Sequence, residues 1–225
     1  MHRIAGIVVL LMALALPATA GLNRWSTAGP YGGQMKFVTV DSQTPNVLFA
    51  GVREGGFYRS RNWGQSWEAI AGFTSPIEAA DIHPLDHRVV FASNSTGIHR
   101  SPDGGDTWSK VAGNSVRCFA FHPTDPSIIY AASLTQVYRS LDGGFYWTVV
   151  ATIPGTPQID QIRQAPLASQ TLYIATWNSG VQKSTNGGLN WTNVSPTVAE
   201  GWRVACHPTI PGRVYASSYI PWAVY

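Results

Sequence analysis

The sequence predicts an all-β protein, a β-propeller of four-stranded antiparallel blades, and three observations carry that prediction. An eight-residue segment recurs four times without gaps: "SRNWGQSW" from Ser60, "SPDGGDTW" from Ser101, "SLDGGFYW" from Ser140 and "STNGGLNW" from Ser184. Its tryptophans stand 41, 39 and 44 residues apart, about the length of one blade. The 225 residues include 22 Gly, 15 Pro, 9 Trp and 9 Tyr with only 12% charged residues, which suits tight turns joining short aromatic strands.

Taken in order, the chain opens on Met1-His2-Arg3, an apolar run from Ile4 to Leu16, and small residues up to Ala20. That is the pattern of a secretory signal peptide (residues 1–20) cut after Ala20; the run is too short to span a membrane. The remaining residues, 21–225, read as one propeller. Ahead of each octad lies a second shared segment, "VDSQTPNVLFAG" from Val40, "IHPLDHRVVFAS" from Ile82, "FHPTDPSIIYAAS" from Phe121 and "QAPLASQTLYIAT" from Gln164. A further copy, "CHPTIPGRVYASS" from Cys206, has no octad after it. Each repeat therefore reads as strand, turn, strand, loop, strand, octad, strand. The third repeat places its strands at Val116 to Phe121, Ile128 to Ala132, Gln136 to Ser140 and Trp147 to Val150. About four and a half blades are accounted for, and Trp25 is expected in an outer strand that closes the ring.

The octad fits a hairpin turn between third and fourth strands. Gly64, Gly105, Gly144 and Gly188 tolerate positive φ, the serines Ser60, Ser101, Ser140 and Ser184 bond locally, and Trp67, Trp108, Trp147 and Trp191 cover the turn. The third position is Asn62, Asp103, Asp142 and Asn186. A metal ligand or catalytic acid does not tolerate an amide in two of four copies, whereas a turn former does, so these residues are expected to be structural.

Other candidate clusters disperse over the repeats. His83, His122 and His207 each open a turn in a different blade, so no metal site is expected from them. Arg59, Arg100, Arg139 and Lys183 precede the octad serines and read as one basic position on a solvated face. Cys118 and Cys206 fit either one disulfide or two free thiols. The formal charge of +3 gives no nucleic-acid signature, and no cofactor is implied.

The octad S-x-D-x-G-x-x-W at this period resembles the Asp-box, or bacterial neuraminidase repeat, which occurs in sialidases, xyloglucanases, sortilin-type receptors and a photosystem II assembly factor. The resemblance implies six to eight blades, hence a chain truncated at its C-terminus. The sialidase arrangement of three arginines and a Phe/Tyr-Arg-Ile-Pro motif is not matched. "GPYGG" from Gly29 and "NVLFAGVREGGFYRS" from Asn46 resemble the opening of xyloglucanases, which implies that Glu54 stands where that family has a catalytic aspartate. The family's second carboxylate comes from another propeller, and glycoside hydrolysis needs two. The function expected first is therefore an exported, non-catalytic binding or scaffold module contacting a protein or carbohydrate through loops at one end of the ring. A xyloglucanase-type hydrolase fragment is the alternative, and an assembly factor of the photosystem II kind the second. Trp63 and Trp177 are candidates for stacking on a ligand.

Overall fold

The computed structural model describes residues 29–30, 34–155, 158–195, 201–218 and 223–224. Residues 1–20, expected to be a signal peptide, and Trp25 lie outside the described residues. Four antiparallel four-stranded sheets follow one another along the chain. The first holds β1 (Met35–Val40), β2 (Leu48–Val52), β3 (Phe57–Ser60) and β4 (Glu68–Ala69), and the second holds β5 (Ile77–Ile82), β6 (Val90–Asn94), β7 (Gly97–Ser101) and β8 (Ser109–Ala112). The third consists of β9 (Cys118–Phe121), β10 (Ile129–Ala132), β11 (Gln136–Ser140) and β12 (Thr148–Thr152). The fourth consists of β13 (Ile159–Gln164), β14 (Leu172–Thr176), β15 (Gly180–Ser184) and β16 (Thr192–Asn193). A fifth sheet of three described strands, β17 (Gly201–Cys206), β18 (Val214–Ser218) and β19 (Ala223–Val224), comes last.

Packing follows from alternation along the middle strands. In β10, Ile129 and Ala131 point toward the second sheet, while Tyr130 and Ala132 point toward the fourth. Such strands are apolar on both faces because each blade is a layer between two others. The interfaces are filled in turn by Phe49, Phe57, Ile77 and Val90; by Phe91, Phe119 and Ile129; by Tyr130, Ile162 and Leu172; and by Tyr173, Val181 and Val204. The octad tryptophans join these layers, Trp108 between the first and second sheets, Trp147 between the second and third, and Trp191 between the third and fourth.

The strands β1, β5, β9, β13 and β17 lie innermost and line a channel of about 370 Å³. The two ends of that channel differ. Met35 pairs with Val52, Ile77 with Asn94, Cys118 with Ala132 and Ile159 with Thr176, so the starts of the inner strands lie beside the turns joining second to third strands. The octads and the histidine turns occupy the other end.

Candidate functional site

At the octad end, one network repeats. Ser101 Oγ donates to Asp103 Oδ1 at 2.8 Å and accepts the Gly105 amide at 2.8 Å. Asp103 Oδ1 also accepts the amides of Asp106 (3.1 Å) and Thr107 (2.8 Å), and Oδ2 accepts the Thr107 hydroxyl at 2.6 Å. Led by the Thr107 hydroxyl, these donors hold the Asp103 carboxyl down at about 2. Asp142 repeats the pattern with the amides of Phe145 and Tyr146, and its carboxyl is likewise lowered. The amide oxygens of Asn62 and Asn186 accept the equivalent bonds from Ser66 N and Asn190 N, both at 2.9 Å. The Trp108, Trp147 and Trp191 indoles donate to the carbonyls of Gly105, Gly144 and Gly188.

The histidines serve three separate turns. His83 Nδ1 accepts the amides of Leu85 and Asp86, His122 those of Thr124 and Asp125, and His207 those of Thr209 and Ile210. Cys118 and Cys206 are free thiols on non-neighbouring sheets, and burial pushes the Cys118 thiol up to about 12.

The basic position requires a correction. Arg59 is 5% exposed and crosses to the next sheet, where Nη1 donates to Gly104 O at 2.6 Å and Nη2 to Asp106 Oδ1 at 2.7 Å. Arg100 Nε donates to Gly143 O at 3.0 Å and Arg139 Nη1 to Gly187 O at 3.5 Å. For the three arginines the solvated-face reading fails because adjacent sheets overlap: each lies under the following octad, whose carbonyl needs a donor, whereas Lys183 rests over the Tyr173 ring of its own sheet.

At the opposite end, Glu54 sits exposed on the turn between β2 and β3, followed by Gly55 and Gly56 at φ of 111° and 119°. The amide of Arg53 bonds to Gln34 O at 2.9 Å, which ties this turn to the start of β1. Trp177, on the turn between β14 and β15, is at the same end, and its amide bonds to Gln158 O ahead of β13. Trp63 is at the octad end. The structure therefore brings Glu54 and Trp177 to one rim and separates both from Trp63.

The channel carries a set of charged groups that sequence reading did not single out. Lys36 Nζ meets Glu78 Oε2 at 2.5 Å, joining β1 to β5, and Arg117 Nη2 meets Asp160 Oδ1 at 3.2 Å, joining β9 to β13. Thr39 Oγ1 donates to Asp81 Oδ1 at 3.3 Å, again from β1 to β5. Burial raises the Asp81 carboxyl to about 6, against the opposing pull of Arg163 and the Thr39 hydroxyl. The signal was present: Lys36, Glu78, Arg117 and Asp160 are spaced by 42, 39 and 43 residues, the blade period.

No family model matches the chain. A xyloglucanase of Hypocrea jecorina (strain QM6a) is 28% identical over 226 residues, covering 88% of this chain and 22% of that protein. The chain thus spans about a fifth of that relative's length. Among solved structures, an ancestral GH74 enzyme is similar with a TM-score of 0.74 and 25% identity, covering 88% of this chain and 29% of the other. The GH74 enzyme of Niastella koreensis has a TM-score of 0.67 at 19% identity over 82% of this chain and 33% of its own, a likeness of fold alone. These relatives overturn the expectation of a non-catalytic scaffold module. That expectation weighed the lack of a second catalytic carboxylate in these 225 residues, a lack without force in a chain that covers 22% of a related enzyme.

Proposed function

We propose that this chain is part of an exported glycoside hydrolase acting on a β-glucan of the xyloglucan kind, with residues 21–225 forming propeller blades and Glu54 supplying one of two reacting carboxylates. The observation that carries the reading is the placement of Glu54. It stands exposed on a Gly-Gly turn at the channel end opposite the structural turns, in a chain 28% identical to a xyloglucanase. Behind the carboxylate, Gly55 opens onto empty space that leaves room for a polymer to approach, while Gly56 lies against the Tyr58 ring. The half-buried Trp177 on the same rim offers an aromatic edge for a sugar ring. Of the other carboxylates at this end, Glu78 and Asp160 are engaged by Lys36 and Arg117, so neither is assigned as the partner. The residues of the four octads hold turns and take no part in the chemistry. The basic, apolar and small residues of 1–20 act as the export signal.

The test is release of reducing ends from xyloglucan by the native polypeptide and by its Glu54→Gln variant. Loss of a general acid or base lowers the rate by about 10² to 10⁴. An unchanged rate in Glu54→Gln removes Glu54 from the mechanism, and no release by the native polypeptide removes the hydrolase reading.

A further inference from the structure

The four octads act as internal controls for one another, and the first departs from the rest. Its fourth position is Trp63, where the others have Gly104, Gly143 and Gly187. The backbone slot is the same in all four: φ is 63° at Trp63 and 71°, 73° and 67° at the glycines. Each of these residues donates its amide to the turn before the second strand, to the carbonyls of Asn46, Arg88, Ser127 and Gln170 respectively. Trp63 is the one non-glycine residue at positive φ among those described. A bulky side chain in the left-handed region is strained, and glycine relieves that strain at no cost to the turn.

Packing does not account for the tryptophan. It is 67% exposed, and the slot opens to solvent in two of the three other copies, where a Cβ built at Gly104 or Gly143 meets nothing within 4 Å; at Gly187 it would lie 2.9 Å from Gln170 Oε1. Its neighbours in the octad, Arg61, Asn62, Ser66 and Trp67, line a groove of about 200 Å³ together with Arg59 and Glu68, a groove that the Trp63 ring itself does not line. The first octad also departs at Trp67, whose buried indole N–H lacks the glycine-carbonyl bond of the other three. An exposed indole on the same octad as guanidinium, carboxylate, amide and hydroxyl groups, already ordered by bonds to one another, has the composition of a pyranose site. The apolar C–H face of an equatorially substituted sugar stacks on the ring, and its hydroxyls bond to the polar wall.

We propose that the first octad is a secondary β-glucan-binding site, with Trp63 as the stacking platform beside the ion-paired Arg61, Glu68 and Asp106. It lies at the opposite channel end from Glu54, so it anchors polymer without touching the reacting bond. The choice of glucan rests on the xyloglucanase reading above.

The test is retardation of the Glu54→Gln polypeptide, in which the polymer persists, in gels containing xyloglucan. Trp63→Gly, which installs the residue of the other octads, is expected to melt at or above the parent temperature and to weaken retention at least about fivefold. Trp63→Tyr, which keeps an aromatic face, is expected to hold most of the retention. Retention unchanged in Trp63→Gly overturns the site, as does a Glu54→Gln parent that is not retained. Retention through Trp63 in that background, with no reducing ends released by the polypeptide that keeps Glu54, leaves this site standing and removes the hydrolase reading. Hydrolysis with retention indifferent to Trp63 does the reverse.

Discussion

Arg59 on β3 spans two sheets to reach Asp106, its Nη2 lying 2.7 Å from Oδ1, while its Nε holds Glu68 on β4 of its own sheet at 2.6 Å. One guanidinium thus ties an outer strand to the next blade's turn. The same slot uses different chemistry one blade on, where Arg100 lies 4.4 Å from the centroid of the Phe145 ring. Phe145 stands at the octad position that Asp106 fills in the preceding copy. Anion and aromatic face are interchangeable there because a guanidinium pairs with either.

Arg59→Ala is therefore expected to destabilise the protein by about 2 kcal/mol. The loss leaves the Gly104 carbonyl short of a donor, but Asp106 and Glu68 remain 55% and 51% exposed and regain water, so the full penalty of an orphaned buried charge does not apply. Arg61→Ala removes a pair with the same Asp106 from a side chain that is 54% exposed, and is expected to cost less than about 1 kcal/mol. Urea unfolding of both variants checks the ranking, and equal losses would show that burial of Arg59 contributes nothing.

Asp103→Asn is expected to be tolerated and Asp103→Ala is not. Asn62 and Asn186 already make the required bonds with an amide oxygen, whereas alanine strands the amides of Asp106 and Thr107 and costs about 1 kcal/mol. The carboxyl is lowered from 3.8 to about 2 in the folded protein. Its stabilisation is therefore present above pH 3.8 and is lost as pH falls toward 2. Melting temperatures of wild type and Asp103→Asn should converge over that interval, and a constant gap would refute the assignment.

Asp81 has the opposite sign. Its folded carboxyl is raised from 3.8 to about 6, so its contribution is most favourable below pH 3.8 and is lost as pH rises through about 6. Asp81→Asn is expected to raise stability at pH 7 by about 1 to 2 kcal/mol, the value left after screening of a partly exposed group, and to have little effect at pH 4. Melting curves at the two pH values decide the matter; a variant less stable than wild type at pH 7 would mean that Arg163 outweighs burial.

The strands, their order and the octad turns were legible because they repeat within the chain, so each copy checks the others. The third repeat shows how closely: β9 starts at Cys118 against an expected Val116, and β12 ends at Thr152 against an expected Val150. What stayed hidden arises between blades. Lys36 and Glu78 stand 42 residues apart, a blade-period spacing visible in the sequence, but only the packing of β1 on β5 turns that spacing into an ion pair. The burial of Arg59 was missed for the same reason: a repeated charge looks like a solvated face until the following blade is laid over it. The separation of Trp63 from Trp177 depends on strand direction, which assigns consecutive turns of a blade to opposite ends.

The glycines inside one octad are expected to differ in what they tolerate. Gly104 and Gly105 both have positive φ, at 71° and 89°, so alanine strains either backbone. At Gly104 a methyl group meets open space, and Gly104→Ala is expected to cost about 1 kcal/mol. At Gly105 the added carbon would lie 2.8 Å from the ring of Phe49 and 3.3 Å from Arg59 Nη1. Phe49 is fully buried between the first two sheets, so the ring cannot withdraw without opening that interface. Gly105→Ala is therefore expected to cost about 3 kcal/mol, the strain of the turn plus that of an overpacked core. Thermal or urea unfolding of the two variants separates the terms. If both lose the same stability, the octad does not press on Phe49 and the turn is coupled to the preceding blade only through Arg59.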